Sequence, residues 1–193
     1  LITDPVQSML EICLEHVKPV IDSENVFVVT SRHLQRAIQE SQLGIPAENV
    51  IGEPCKRNTA GCLVFAVANV LARFDEEPAD VTMAVLTADH EIGDPKRYRQ
   101  AVEVALSAAE RQDALVTLGI KPTRTETGYG YIELPEERQP LEGSRNDISV
   151  FPVNRFLEKP DPDTAETFAA SGRHLWNSGM FFWRISTFLT ELK

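Results

Sequence analysis

The sequence predicts an α/β domain of the doubly wound kind, a mixed, mostly parallel sheet with helices on both faces and a small, partly antiparallel subsheet appended. Two observations predict it. Between residues 25 and 120, short apolar, β-branched runs alternate with stretches whose apolar residues recur at helical spacing, the pattern of successive βαβ units. Beyond residue 120 the texture changes to glycine-punctuated strands and polar loops, where antiparallel pairing is expected. With 193 residues, 42% of them hydrophobic, the chain is long enough for one domain with a sizeable core.

Taken in order, residues 6–16 form a helix with Val6, Met9, Leu10, Cys13, Leu14 and Val17 on one stripe, Asp4 and Pro5 as N-cap and first residue, and Pro19 closing it. Residues 25–30, NVFVVT, read as a buried strand; Ser31 then starts a helix to about Gly44, with Leu34, Ala37 and Ile38 on one side. Residues 49–53 are a second strand. From Arg57 a third helix is apolar at Ala60, Leu63, Val64, Val67, Ala68 and Leu71. The strand centred on Val85 stops at Ala88, Asp89 and His90, and Asp94 and Pro95 open a helix to about Arg111 with Tyr98, Ala101, Val102, Ala105 and Leu106 inward. Residues 114–120 are a strand, 129–134 a short one, 135–147 a polar loop or hairpin tip, 148–158 a long strand, 163–171 a helix, and 175–184 an aromatic-rich strand or strand-loop. The appended subsheet is expected to form the second wall of a cleft.

The charge balance narrows the function. Nineteen basic against 29 acidic residues give a formal charge of −10, and no Lys/Arg cluster interrupts it. No nucleic-acid partner is expected. A small anionic substrate needs a few local cations or a divalent metal against that field. Apolar stretches such as residues 61–71 fall short of the ~20 residues a membrane helix requires, so no membrane span is expected. Cys13, Cys55 and Cys62 are an odd number without zinc spacing, which reads as reduced thiols in a cytoplasmic protein. The chain begins without an initiator Met, a charged n-region or an apolar h-region, and reads as a fragment.

Chemistry concentrates where elements end. In an open α/β sheet, ligands collect outside the carboxyl ends of strands, which is where Asp89 falls; it either meets a metal or phosphate there or satisfies backbone N–H groups of the turn. In residues 53–60, EPCKRNTA, a strand ends at Glu53 and Arg57, Asn58 and Thr59 lead into a helix whose first N–H groups face the same edge. Asn58 or Thr59 as a plain cap leaves Glu53 and Arg57 unexplained. A carboxylate at Glu53 can accept both N1–H and N2–H of a guanine edge. In TGYGYI, residues 127–132, Gly128 and Gly130 either let the backbone approach a ligand or open a bulge. Glu158 and Lys159 precede Pro160; Lys159 suits a phosphate and Glu158 sugar hydroxyls, against the alternative of a surface ion pair. Asn177, in WNSG, can bridge vicinal hydroxyls or simply make a turn.

EPCKRNTA, LTADHEIGD, GIKPTRTETGYGYI, FLEKPD and LWNSGMFFW, in this order and spacing, resemble the mannose-1-phosphate guanylyltransferases, or GDP-mannose pyrophosphorylases, among the sugar nucleotidyltransferases. The resemblance runs over essentially the whole chain. It implies a Rossmann-like nucleotide-diphospho-sugar transferase fold in a single domain over residues 1–193, and the synthesis of GDP-mannose and pyrophosphate from GTP and α-D-mannose 1-phosphate. It also implies that Asp89 coordinates catalytic Mg²⁺, that Lys159 holds the sugar phosphate, that Gly130, Glu158 and Asn177 contact the mannose, and that Glu53, Asn58 and Thr59 lie by the base.

The resemblance further implies a Gly-rich phosphate loop before Leu1 and a second metal-binding Asp after Lys193, so the chain is expected to be truncated at both ends and inactive alone. A homodimer is compatible with everything above. Two alternatives remain, a sugar nucleotidyltransferase with another base or sugar and a non-catalytic, regulatory relative. A glycosyltransferase of the type that binds its metal with Asp-x-Asp is disfavoured, because Asp89 is followed by His90 and Glu91.

Overall fold

The computed structural model describes residues 7–55, 57–145 and 147–192. The chain divides into two units, one of Leu1–Val81 with Ala88–Arg99 and the other of Thr82–Thr87 with Gln100–Lys193.

The first unit is built from β1 (Val28–Ser31) and β2 (Val50–Glu53), which pair in parallel with Val28 opposite Val50 and Ser31 opposite Glu53. Helix α1 spans Met9–Val17. It starts later than the sequence implies, because Ser8 and Glu11 form a reciprocal capping box: Glu11 N–H donates to Ser8 Oγ and Ser8 N–H to the Glu11 carboxylate. Asp4 and Pro5, the expected cap, lie outside the described residues. Helix α2 (Arg32–Glu40) follows β1 without a break, and Gln35 Nε2 donates to the Val50 carbonyl at 2.9 Å. Buried Asn49 donates through Nδ2 to the carbonyls of Glu24 and Val26 at 2.8 and 3.0 Å, which fixes where β2 begins. Helix α3 (Asn58–Arg73) buries Ala66, Val67 and Val70. Helix α4 (Pro95–Gln112) starts as expected, with Asp94 Oδ1 accepting the Arg97 N–H at 3.0 Å.

The second unit holds a five-stranded sheet of β3 (Thr82–Val85), β4 (Val116–Ile120), β5 (Tyr131–Glu133), β6 (Arg155–Leu157) and β7 (His174–Arg184). The order is β3-β7-β5-β6, with β4 also on β7, and every pairing is antiparallel. Strand β7 alternates from its start, burying His174, Trp176, Ser178, Met180 and Phe182, until Trp183 is buried as well. Tyr131, Ile132, Phe182 and Ile185 are fully enclosed, as is Val102 of α4; Val104, Ala105, Ala108 and Ala109 are buried beside it in the same helix. Helix α5 (Pro162–Ser171) is capped by Asp161 and ends at Gly172 in the left-handed region; α6 (Ile185–Glu191) closes the chain.

The mixed α/β class stands, but the balance of pairing differs from the expectation of a mostly parallel sheet. Among the described residues the parallel pair is β1–β2, and β3 pairs antiparallel with β7. Eleven residues long, β7 can take partners on both sides of its bulge, β5 along residues 174–176 and β3 along 181–184, which three-to-five-residue strands cannot. The long strand expected over residues 148–158 shrinks to β6. Residues 148 and 150 instead close the preceding loop, through Ile148 N–H to Arg145 O and Leu141 N–H to Val150 O, both 2.8 Å. Pro152 then offers no N–H, so the ladder resumes only at Arg155. No helix among the described residues is long and apolar enough to cross a membrane.

Candidate functional site

Two groups of the predicted residues occur, one in each unit. In the first unit, Glu53 ends β2 half-buried, and the Cys62 thiol donates a hydrogen bond to its carboxylate. Burial, followed by the Glu53 charge and this hydrogen bond, pushes the thiol's pKa up. Arg57 occupies the N-cap of α3 and Asn58 its first position, with φ +56°. Asn is among the few residues that tolerate this left-handed conformation. No described side chain caps α3, so the plain capping reading of Asn58 and Thr59 does not account for them. Arg57, Asn58 and Thr59 are all exposed on the first turn. Sequence reasoning missed Gly61: a Cβ there would lie 2.4 Å from Cβ of Arg57, so glycine is what lets Arg57 fold against the helix start. Glycine one turn after the N-cap of an otherwise apolar helix was the available signal.

Asp89 lies four residues past the end of β3, exposed, and makes no hydrogen bond or ion pair among the described residues. The turn-satisfying role is therefore not what it performs. Behind it, burial and then the Asp89 charge raise the Cys13 thiol, and burial pushes Tyr98 up to about 12. His16 meets Tyr98 edge-on at 6.2 Å. A carboxylate without a partner among the described residues, near a Cys13 thiol and a Tyr98 phenol that stay protonated, is available to meet a cation.

In the second unit, Gly130, Glu158 and Asn177 come together. A Cβ on Gly130 would stand 3.0 Å from Oε2 of Glu158 and 3.8 Å from Cβ of Asn177, and the Asn177 N–H donates to the Gly130 carbonyl at 2.8 Å. Glycine at 130 thus keeps open the space between the Glu158 carboxylate and the Cβ of Asn177. Asn177 does not sit in a separate turn. It lies within β7 at a bulge, where Gly179 has φ +73° and donates its N–H to Asn177 Oδ1 at 3.1 Å. Because the amide oxygen is occupied in this way, Asn177 offers donors from Nδ2 rather than one donor and one acceptor.

Glu158 and Lys159 are exposed, follow the edge strand β6, and form no ion pair among the described residues, so the surface-pair reading is not realised. Lys159 has φ +38° ahead of Pro160, a conformation that costs energy and persists only where the surroundings impose it. Tyr129, 44% exposed, meets Trp176 edge-on at 5.4 Å, and the Arg124 guanidinium lies 5.5 Å from the same Trp ring. Glu126 anchors the start of this loop by accepting the Gly128 N–H, which holds its carboxyl below the usual range.

With this geometry in place, comparison with known proteins supplies a frame. A family model described as nucleotidyl transferase matches residues 2–193. The mannose-1-phosphate guanylyltransferase of Escherichia coli K12 is 39% identical over 175 residues, covering 90% of this chain and 35% of that protein. A crystal structure from Thermus thermophilus, described as a mannose-1-phosphate geranyltransferase, has a TM-score of 0.79 at 33% identity, covering 95% of this chain and 49% of that one. A structure from Helicobacter pylori described as a mannose-6-phosphate isomerase has a TM-score of 0.77 at 28% identity, covering 100% and 68%. Among curated relatives, the chain spans 29% to 39% of their length.

Proposed function

The chain belongs to the nucleotidyl transferase family, and on that premise we propose that it serves a mannose-1-phosphate guanylyltransferase, making GDP-mannose and pyrophosphate from GTP and α-D-mannose 1-phosphate. The names of relatives such as the Escherichia coli K12 protein support the choice of nucleotide and sugar. The observation that carries the reading is the convergence of Glu158 and Asn177 on Gly130, with Lys159, which forms no ion pair among the described residues, next in sequence. A carboxylate accepts hydrogen bonds from sugar hydroxyls, an amide NH₂ donates to them, and an ammonium meets the attached phosphate.

A phosphate oxygen of the sugar forms a bond to the α-phosphorus of GTP while the bridging α–β P–O bond breaks, the leaving pyrophosphate taking the electron pair. No covalent enzyme intermediate is needed, so the protein's work is positioning and charge neutralisation. Lys159 holds the attacking phosphate; Glu158, Asn177 and Gly130 fix the sugar. In the other unit, Glu53 reads the guanine edge, and Arg57, Asn58, Thr59 and the uncapped N–H groups of α3 provide donors beside it.

No cluster of three His, Cys, Asp or Glu side chains that could hold a metal occurs among the described residues. Asp89, without a hydrogen-bond or ion-pair partner among the described residues, still fits Mg²⁺, which binds through one or two carboxylates together with substrate phosphates. Bound there, Mg²⁺ would supply charge neutralisation for the triphosphate.

The test is pyrophosphate release by the full-length protein with Mg²⁺ and mannose 1-phosphate, run with GTP, ATP, UTP and CTP in parallel. Release with GTP alone is expected, and Asp89→Asn should lower it by several orders of magnitude without moving the Tm. Release with another nucleotide removes Glu53 from base recognition, and a normal rate in Asp89→Asn removes the metal role. No release with any nucleotide rejects the activity.

A further inference from the structure

The bulge in β7 carries a second partner for Asn177 that motif reading does not reach. Strand β4 pairs Val116 with Phe182 and Thr117 with Phe181, then Gly119 with Asn177. Two steps on β4 therefore face four on β7, and residues 178–180 loop out of the ladder. Such a bulge leaves backbone groups without ladder partners. The Thr117 hydroxyl, half-buried, donates to the Met180 carbonyl at 2.8 Å and lies 3.2 Å from Asn177 Oδ1. The Gly179 N–H reaches the same Oδ1 at 3.1 Å. A hydroxyl carries one hydrogen, here shared between two acceptors, the shorter contact being the carbonyl.

These contacts decide which end of the amide is turned inward. Were the Asn177 amide rotated by half a turn, Nδ2 would face the Gly179 N–H, donor against donor. With the Gly179 N–H and, in part, the shared Thr117 hydrogen directed at Oδ1, the NH₂ group is what Asn177 has left to offer a ligand on the Gly130 side, where its Cβ stands 3.8 Å from the position of a Gly130 Cβ. We propose that Thr117 is a positioning residue for sugar recognition: through the β7 bulge it holds Asn177 so that a donor faces the hydroxyls of the hexose 1-phosphate, opposite the acceptor supplied by Glu158. This rests on the reading of Gly130, Glu158 and Asn177 as the sugar subsite. Thr117 itself touches no substrate.

The experiment is steady-state kinetics of the full-length protein and three variants, with mannose 1-phosphate and GTP varied separately. Thr117→Val keeps the shape and removes the hydroxyl; it should raise the KM for mannose 1-phosphate about five- to tenfold, the worth of roughly one hydrogen bond, and leave the KM for GTP unchanged. Thr117→Ser should restore the parent value. In an Asn177→Ala background, Thr117→Val should add nothing further, whereas a general packing defect would add its full effect.

An unchanged KM in Thr117→Val, an equal rise for both substrates, or full additivity with Asn177→Ala overturns the proposal. Asn177→Asp tests it even if Thr117→Val does not fold. Its carboxylate still accepts the inward donors but presents an oxygen outward, and unaltered sugar phosphate binding would show that no donor is used there. Absence of turnover by the parent protein with any hexose 1-phosphate overturns both this proposal and the subsite reading, whereas normal parent turnover with an indifferent Thr117→Val overturns this one alone.

Discussion

Lys159 joins a strained backbone to an unneutralised charge: a left-handed φ ahead of a proline, and no counter-ion among the described residues. A non-glycine residue so held costs on the order of 1–3 kcal/mol, and the proline at 160 narrows its alternatives further. Such a cost is tolerable if the ammonium must stand where a phosphate arrives. Two substitutions separate the cost from the purpose. Lys159→Ala keeps the strain and loses the charge, so it should leave the stability within about 0.5 kcal/mol of the parent's while raising the KM for mannose 1-phosphate about tenfold or more and that for GTP far less. Lys159→Gly should raise the Tm, because glycine adopts positive φ freely, with the same kinetic loss. If neither variant alters the sugar phosphate KM, the lysine is structural. Glu158, Gly130, Asn177 and Lys159 were singled out from the sequence because each carries its proposed chemistry within a short motif. Thr117 was not, because its partner is 60 residues away and meets it only through the bulge register. Nor was the Cys62 thiol on Glu53, since a cysteine on an apolar helical face reads as packing.

At the scale of elements, α2 lies so close on β2 that the strand needs a glycine. A Cβ on Gly52 would come within 2.9 Å of Arg32 Cα, a backbone atom, and 2.5 Å of Gln35 Oε1, whose amide bonds the Val50 carbonyl. The Gln35 side chain can swing away at the loss of that bond; Arg32 Cα cannot move without the helix. Gly52→Ala should therefore destabilise by about 1–3 kcal/mol and, because Glu53 is the next residue, weaken discrimination of GTP from ATP. Gly93→Ala is the control, since a Cβ there meets nothing within 4 Å, and its Tm should stay put. An unmoved Tm in Gly52→Ala would mean that the α2–β2 contact yields easily. Helices and short strands of this half were legible because periodicity and caps agree locally, as at Ser31, Asp94 and Pro95. What failed were features set by competition between distant segments. Residues 148–150 satisfy a loop before they can join a ladder, and β7 draws β3, β4 and β5 to itself, an outcome that alternation of helix and strand does not encode.

For the molecule as a whole, acid stability sets two effects against each other. The formal charge is −10 and the isoelectric point about 4.9, so lowering the pH from 7 relieves self-repulsion and favours the folded state. Against this stand groups whose pKa values are depressed on folding. Burial, reinforced by Arg173 and Arg155 and partly opposed by Glu133, holds His174 below its ordinary 6.5. Arg155, with Asn154 assisting, holds the buried Glu133 carboxyl below 4.5; the Gly128 N–H does the same for Glu126, and the Thr164 N–H keeps Asp161 below 3.8. In each case the unfolded chain binds the proton more readily, so stability is fully present above the unfolded pKa and is lost as pH falls through the folded one. The His174 loss begins below pH 6.5 and opposes the relief of repulsion, so the Tm should stay nearly level between pH 6.5 and 5. Below about pH 4.5 the carboxylates lose their contribution while net positive charge accumulates, and the Tm should fall steeply. Comparison with His174→Gln isolates the first term. Without a titrating ring, the variant's Tm should rise relative to the parent as pH drops from 7 to 5 in thermal unfolding at fixed ionic strength. A difference that stays constant over that range would show that His174 titrates alike in both states, and a difference of opposite sign would show that its folded pKa is raised.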